Sequence, residues 1–598
     1  MKQFQALALL FALTASAGAA PAPQDAPAAP PKKTMKKSSA STTTEILVRR
    51  LDDMQKSLDS QQQQIQQLKQ DVQSRDTVIQ QLQQQGSQVQ ATAVQAQQKV
   101  DTESAKQQQD VAALKDDVTD LKTNATNTAL ALQESQKQVN EMESPLAIHF
   151  KGVTITPGGF LAAETVWRQR ALAADINTPF NSVPFGGASQ SNMSEFFGSG
   201  RQSRVSMLTE GKLKSAKLSG YVEADFLSAG VTSNNNQSNS YTLRQRQAWG
   251  QAALNSGWTF TGGQMWSLIT ETKKGVDNRT EALPMTIDPQ YTVGFSWARQ
   301  YGFRVSRNLS NKLWLAFAVE DSQETLTAHG AANNFLVGSL GNSGGLYNAF
   351  NGNYSFNPSP DFVVKAAFEP GWGHYEVFGL ISEFRDRVFP NATATTPSAA
   401  GAFNDSRTGG GIGANARGSL YNKHIDVGMH FLGGNGTGRY GTAGLSDATV
   451  HPNGTLALIR NYQALGTLEW HSPKWDIYAN AGGEYDARTA YLTAAGKGVG
   501  YGSPLLVNTG CGTEVLPTGG AGFTPGSLAN CTGDTRNIIE GTFGFWYRFY
   551  NGPKGRIQWG PQYSYVVRNT WSGTTAGNSG QPHGVENMFL TSFRYYLP

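Results

Sequence analysis

The sequence lacks the features that mark most enzymes and helical membrane proteins. Charged residues make up only 16% of the 598 residues and the formal net charge is +4, so composition gives no support for nucleic-acid binding. Beyond the first twenty residues, no stretch reaches the roughly 18 apolar residues of a membrane-spanning helix. The mean hydropathy is −0.40. A transmembrane β-barrel has this profile, because alternate residues of each strand face a wet lumen.

Signals for catalysis and for metal binding are also missing. The stretch Gly434-x-Gly436-x-Gly438 is followed by neither Lys-Ser/Thr nor a helical pattern, so it does not predict a phosphate site. The eight histidines are scattered without metal-site spacing, and there is no nucleophile-elbow motif. We therefore expect a protein that is not an enzyme and that has no cofactor, no catalytic residue and no metal site.

The two cysteines, Cys511 and Cys531, lie in one segment rich in Gly, Pro and Thr. They could be free thiols, but two nearby loop cysteines in an oxidising compartment more often pair. We expect a disulfide between them.

Alternation of apolar and polar residues is the strongest positive signal, and residues 537–568 show it best. Ile539, Phe543 and Phe545 share one parity of the first run, whereas Glu540 and Thr542 share the other. A period of two indicates strands with one apolar face. Aromatic residues at the ends of the apolar face, and charges on the other face, are typical of a strand with lipid outside and water inside.

The same alternation predicts sixteen antiparallel strands within residues 146–598, joined alternately by short turns and long polar loops. This organisation is that of outer-membrane barrels, and an even strand number places both ends of the barrel on the short-turn side. The predicted strands are 158–168, 201–209, 214–228, 241–254, 258–267, 294–306, 312–320, 361–369, 374–385, 408–420, 424–433, 457–470, 475–486, 537–550, 555–568 and 587–597.

Three further segments precede the predicted barrel. Residues 1–19 have the charged start, apolar stretch and small-residue cleavage site of a signal peptide. Residues 20–44 are rich in Pro, Ala and Lys and predict a disordered spacer, with a basic arm on an anionic wall polymer as an alternative. Residues 45–142 carry heptads and predict a long periplasmic α-helical coiled coil, with a Gln-rich disordered linker as the alternative. The first seams contain Leu51, Leu58, Ile65, Val72 and Ile79, and Leu47, Met54, Leu68 and Leu82.

Charged residues of the predicted strands and of one long loop form a candidate constriction. Parity places Arg204, Arg244, Arg246 and Arg304 on the lumen side of early strands that are close together in a barrel. The third long loop, 268–293, contains Glu271, Asp277, Glu281 and Asp288. A loop at this position commonly folds into a porin channel, and acids facing arginines create a transverse field. The alternative is that these charged side chains only bind water and order the barrel wall.

Four stretches resemble the DcaP-like trimeric outer-membrane porins: RQSRVSM (201–207), YVEADF (221–226), LRQRQAWG (243–250) and GGQMWS (262–267). Members of this family place a periplasmic coiled coil before a sixteen-stranded barrel. The resemblance implies a homotrimer that takes up small anionic solutes such as dicarboxylates, with Arg204, Arg244 and Arg246 as the matching basic positions.

The sequence therefore predicts a passive diffusion channel for small hydrophilic solutes in the outer membrane of a Gram-negative-type bacterium, with its coil in the periplasm. The alternative function is a structural tether between the outer membrane and the cell wall. Expected partners are further copies of the chain, outer-membrane lipid, small hydrophilic solutes and, for the tether, peptidoglycan.

Overall fold

Sixteen antiparallel strands form the body of the structure, a computed structural model. It describes residues 147–227, 243–330, 334–339, 354–393, 395–516, 527–574 and 580–598, together with Lys122. The predicted signal peptide, spacer and coiled coil (1–19, 20–44 and 45–142) lie outside the described residues, apart from Lys122. The barrel strands are β1 Val153–Arg168, β2 Arg204–Lys212, β3 Ala216–Asp225, β4 Arg244–Leu254, β5 Trp258–Trp266, β6 Arg299–Asn308, β7 Leu313–Glu320, β8 Asp361–Phe368, β9 His374–Val388, β10 Phe403–Leu420, β11 Ile425–Asn435, β12 Arg460–His471, β13 Trp475–Asp486, β14 Thr535–Gly552, β15 Gly555–Thr570 and β16 His583–Tyr596.

The sheet closes on itself. Each strand pairs with the next along the chain, and β16 pairs with β1 in a register that joins Phe160 to Tyr596 and Arg168 to Met588. The prediction of a sixteen-stranded antiparallel barrel is confirmed, and each predicted segment overlaps one observed strand. Closure leaves no free strand edge, so backbone hydrogen bonds are satisfied all round the wall.

Connections alternate in length around the barrel. Seven short turns lie at one end, for example 472–474 between β12 and β13, and the eight long loops lie at the other. The loops used below are L1 (169–203), L3 (267–298), L6 (436–459) and L7 (487–534). Among the described residues, no helix has both the length and the hydropathy to span a bilayer.

The outer face of the barrel is apolar and has aromatic residues near both ends. Trp475 lies 5.2 Å from Phe545 and 4.6 Å from Tyr547, ring centre to ring centre, close to the short turns. Near the long loops, Tyr485 lies 6.1 Å from Tyr462 and 6.0 Å from Trp571. Aromatic residues at two levels, with exposed aliphatic side chains between them, match the two interfaces of a bilayer.

The inner face is more crowded than a water-filled lumen. L1, L3 and L6 fold inward and bury apolar side chains, including Phe180, Ile287 and Leu445, against inward-facing Ile538 and Trp546 of β14. The parity of the strands predicts inward charges but not this apolar packing, because the packing depends on loop residues. Burial of apolar area stabilises these loops inside the barrel.

Shorter elements complete the description. Phe335–Leu336 pairs with β9, whereas Ile148–Phe150 and Glu195–Ser199 pair with β1. Three small two-stranded sheets pair Gly338–Ser339 with Tyr354–Ser355, Ala448–Val450 with Leu456–Leu458, and Thr489–Leu492 with Gly498–Tyr501. The 3-10 helices are Phe180–Ser182, Ser189–Asn192, Gly438–Tyr440 and Thr509–Gly512.

A disulfide joins Cys511 and Cys531 within L7, with the two Cα atoms 4.8 Å apart. Closing a loop of 20 residues is worth about 3 kcal/mol on the chain-entropy model. We expect reduction to loosen L7 and to leave the unfolding temperature of the barrel unchanged, because the closed sheet holds the strands. Limited proteolysis with and without reductant, next to thermal unfolding, checks this. A fall of the barrel's unfolding temperature on reduction would contradict it.

Candidate functional site: a lumen crossed by L3

L3 crosses the lumen and contacts the wall on several sides. It leaves β5 next to β7, where the Leu268 N–H donates to Glu320 at 2.7 Å. Further along, the Val293 N–H donates to Glu540 of β14 at 2.8 Å, and the Gly294 N–H donates to Glu484 of β13 at 2.9 Å. L3 therefore reaches across the lumen from the wall at β7 to the wall at β13 and β14.

The close contact of L3 with β13 requires glycine on both sides. A Cβ added at Gly482 would lie 1.8 Å from the Val293 carbonyl oxygen. Gly294 has φ +87°, and a Cβ there would lie 2.0 Å from the Ala464 carbonyl oxygen. Only glycine allows such an approach of two backbones without strain.

The first part of L3 is held by a buried polar cluster on β8 to β10. The Glu376 carboxylate accepts hydrogen bonds from Lys365 Nζ at 3.0 Å and from Asn415 Nδ2 at 2.5 Å. It also accepts from the Thr272 hydroxyl at 2.5 Å and from the Thr272 N–H at 3.1 Å. Lys365 Nζ donates to the Thr270 carbonyl at 2.7 Å. Because the carboxylate and the ammonium are both fully buried, this cluster ties L3 firmly to the wall.

Three of the predicted arginines lie together on another part of the lumen wall, on β2 and β4 beside β3. Arg246 contacts Glu223 at 2.6 Å and Asp225 at 2.8 Å, and Arg244 contacts Asp225 at 2.8 Å. Arg204 lies 3.7 Å from Glu223. Glu223 and Asp225 belong to β3, so the ion pairs of these three arginines are with the barrel wall.

Arg299 belongs to the same group of arginines, although it is not among the predicted constriction residues. Arg299, the first residue of β6, lies 5.0 Å from the Trp266 ring centre, and Arg246 lies 6.0 Å from the same ring. Four guanidinium groups (Arg204, Arg244, Arg246 and Arg299, the arginine cluster) thus stand against two wall carboxylates. Within the described residues, Arg204 Nε, Arg246 Nη2 and Arg299 Nη1 are buried donors without an acceptor. Buried donors of this kind favour an anion.

Arg304 and two of the L3 acids, Glu271 and Glu281, have their hydrogen-bond partners outside the arginine cluster. Arg304 donates to Asn278 Oδ1 of L3 at 2.7 Å and to the carbonyl of Trp266, the last residue of β5, at 2.6 Å. Glu271 pairs with Arg417 of β10 at 2.9 Å. The Glu281 carboxylate accepts from the Arg279 N–H at 3.2 Å.

Burial raises the pKa of each of the four acids on L3. The pKa of Glu281 rises to about 7 and that of Asp288 to about 6. Burial also raises the pKa of Glu271 and of Asp277, although Arg417 and Lys274 respectively oppose these shifts. Since a raised pKa keeps a carboxyl protonated to higher pH, the acidic side of L3 carries less negative charge near pH 6 than four free carboxylates would.

Arg594 also contacts L3, although its sequence position near the end of β16 suggests a remote place. It pairs with Glu164 at 2.7 Å, contacts Gln202 at 2.8 Å and donates to the Ile287 carbonyl of L3. Arg594 and Arg417 thus anchor two separate points of L3. Sequence parity identifies both as inward-facing, but only the path of L3 reveals what they bind.

The strand pairing and the lumen geometry define the class as a closed sixteen-stranded barrel of the outer-membrane type. No family model matches the sequence, and no curated protein matches it. Among solved structures, the barrel is similar to the outer membrane channel DcaP of Acinetobacter baumannii, with 14% identity over 75% of this chain and 99% of that chain and a TM-score of 0.49. The expected resemblance to DcaP is confirmed at this level.

Two porins are also similar in structure. The anion-selective porin from Comamonas acidovorans has 9% identity over 74% of this chain and 100% of that chain, with a TM-score of 0.38. OmpF of Salmonella typhi, solved with daunomycin, has 8% identity over 75% of this chain and 100% of that chain, with a TM-score of 0.37. Because these identities and TM-scores are low, the fold of this chain is assigned from its own strand pairing.

Proposed function

We propose that this protein is an outer-membrane porin, a passive diffusion channel for small hydrophilic solutes. The observation that carries this proposal is the closed barrel with an apolar outer face and charged residues on a lumen side that L3 crosses. An apolar band with aromatic residues at two levels suits a bilayer, and a charged lumen suits polar solutes. No covalent chemistry is required of the site.

The preferred solutes in this proposal are small anions with one or two carboxylates. The arginine cluster has more cationic groups than paired wall acids, and three of its buried donors have no acceptor in the described part of the chain. Guanidinium groups bind carboxylates through paired N–H donors, so an anionic solute would complete these bonds during passage.

Assembly and location belong to the same proposal. We place the protein in the outer membrane as a homotrimer, with residues 45–142 as a periplasmic coil. The support is the heptad pattern and the resemblance to DcaP-like porins. The tether to peptidoglycan rests on the heptads alone.

Conductance in a planar lipid bilayer tests the porin function. The purified full-length protein should give stepwise, ohmic conductance, and a small dicarboxylate such as succinate should reduce the chloride current at millimolar concentration. A matched neutral solute of similar size should leave the current unchanged. A silent barrel in repeated insertions would favour the tether and would overturn the channel function.

A further inference from the structure

A second cluster of charged residues lies at the short-turn end of the lumen, on strands that are not part of the arginine cluster. It is formed by Asp426 of β11 together with Glu469 and His471 of β12, and each offers one ligand atom within 4.8 Å of the others. We propose that these three residues bind a zinc-type divalent cation.

The register of β11 and β12 places two acids in direct opposition. Asp426 pairs with Glu469 across the two strands, and both side chains point to the lumen face. Like charges directly opposite on one face of a sheet are destabilising unless a cation lies between them. Glu469 is nearly fully buried, with 5% of its surface exposed, so water screens this repulsion poorly. Arg417, 3.7 Å from one Glu469 oxygen, supplies one positive charge against the two carboxylates, so the pair favours a second cation.

His471 supplies a ring nitrogen at the right position. It lies two residues after Glu469, on the same face of β12, and its Nε2 is 3.4 Å from Asp426 Oδ2 and 3.5 Å from Glu469 Oε2. These distances exceed those of good N–H···O hydrogen bonds. Two ligand atoms that each lie about 2.1 Å from a tetrahedral Zn²⁺ are themselves about 3.4 Å apart. The two distances from His471 thus fit ligands around one ion better than direct hydrogen bonds between the side chains.

The other ring nitrogen of His471 is already engaged. Nδ1 lies 2.9 Å from Asp476 Oδ1 on β13, and the second oxygen of Asp476 contacts Arg548. A carboxylate that accepts the Nδ1 proton fixes the tautomer and leaves the Nε2 lone pair for a metal, which is the usual outer support of a zinc-bound histidine. Asp426 has similar support, since the Ser419 hydroxyl donates to its Oδ1 at 2.5 Å.

The donor set indicates which ions fit. One imidazole and two carboxylates suit Zn²⁺ with a water molecule as the fourth ligand, whereas Mg²⁺ and Ca²⁺ prefer oxygen ligands alone. An ion can reach the site from the lumen, because the side chains of His471 and Asp426 are 30% and 26% exposed. The remaining Glu469 oxygen lies 3.7 Å from Arg417, which also binds Glu271 of L3, so the site adjoins the base of the constriction.

Zinc binding to the full-length, tag-free protein in detergent tests the proposal. After treatment with a chelator and its removal, ZnCl2 should bind with a stoichiometry of one per chain at pH 7.5, and CoCl2 should give the visible absorption of a low-symmetry Co²⁺ site. We expect H471Q and E469Q to weaken zinc binding at least tenfold and D476N to weaken it about 10- to 100-fold. H583Q, at an exposed histidine at the start of β16, should bind zinc like the wild type.

Heat modifiability on SDS gels shows whether each variant still forms the barrel. The proposal is overturned if the folded wild type takes up no zinc at 100 µM, since His471 would then be only an imidazolium paired with the acids. It is also overturned if H471Q binds zinc like the wild type, or if MgCl2 competes equally. These measurements do not use conductance, so they test the metal site independently of the porin function.

Discussion

Replacing Arg244 and Arg246 together by glutamine should shift the channel from anions towards cations. The double variant removes two guanidinium groups and leaves Asp225 and Glu223, which they now contact at 2.6 to 2.8 Å, without their main partners. A unit charge 8 Å from a permeating ion contributes about 1 kcal/mol at an effective dielectric constant of about 40. An energy of about 1 kcal/mol changes the permeability of one ion about fivefold for each arginine removed. We expect the ratio of anion to cation permeability to fall at least about tenfold.

Reversal potentials in a tenfold gradient of KCl measure this ratio. Arg307 provides the control, because it lies on the outer face of β6, 4.8 Å from the Trp258 ring centre. Its replacement by glutamine removes one positive charge outside the lumen, whereas the double variant removes two from the lumen side. Arg594 is unsuitable as a control, since it contacts the Ile287 carbonyl of L3. Equal reversal potentials for R307Q and the double variant would show that the arginine cluster only orders the wall. The porin would then be a general pore.

The barrel could be predicted from the sequence because strand periodicity is a local property. Inward and outward positions follow from parity except at the register shifts between β3 and β4 and between β14 and β15. Turns of two to five residues fix which strands form hairpins. The predicted strand boundaries differ from the observed ones where a strand continues into a long loop. Strand β6 begins at Arg299 rather than 294, because irregular L3 residues also carry an alternating pattern. Strand β10 begins at Phe403, five residues before the predicted start at 408.

The lumen could be predicted only in part, because its contacts join segments distant in sequence. Parity identifies Arg204, Arg244 and Arg246 as inward, but the partners of these arginines depend on the register of β3 against β4. Nothing local indicates that L3 binds Glu376, about 100 residues later in the chain. The same reason hides the proposed metal site, since Asp426 and Glu469 meet through strand pairing. The one local sign is that Glu469 and His471 are two residues apart and therefore share a face.

Replacing Glu376 by alanine should release the first part of L3 from the wall. The carboxylate holds Thr272 through two hydrogen bonds and balances the charge of Lys365, whose ammonium group is fully buried. Removing one partner of a buried ion pair typically destabilises a protein by about 3–5 kcal/mol, because the other charge is left uncompensated. Since the strand hydrogen bonds remain, we expect the effect to fall mainly on L3. The variant should show a higher mean conductance and frequent transitions between current levels, whereas the wild type should give steady steps.

The exposed pair Lys217–Glu210 provides the matched control for this prediction. Its atoms are 2.6 Å apart, close to the 3.0 Å of Lys365–Glu376, but its side chains are 46% and 32% exposed. An exposed pair contributes about 0–1 kcal/mol, so E210A should conduct like the wild type. The double variant K365M/E376A should recover part of the stability lost in E376A, because the unpaired ammonium group of Lys365 is removed as well. Its current should stay noisy, since Thr272 still lacks its acceptor. Steady, unchanged steps in E376A would mean that L3 is held by its contacts with β13 and β14, and that the Glu376 cluster does not control the width of the channel.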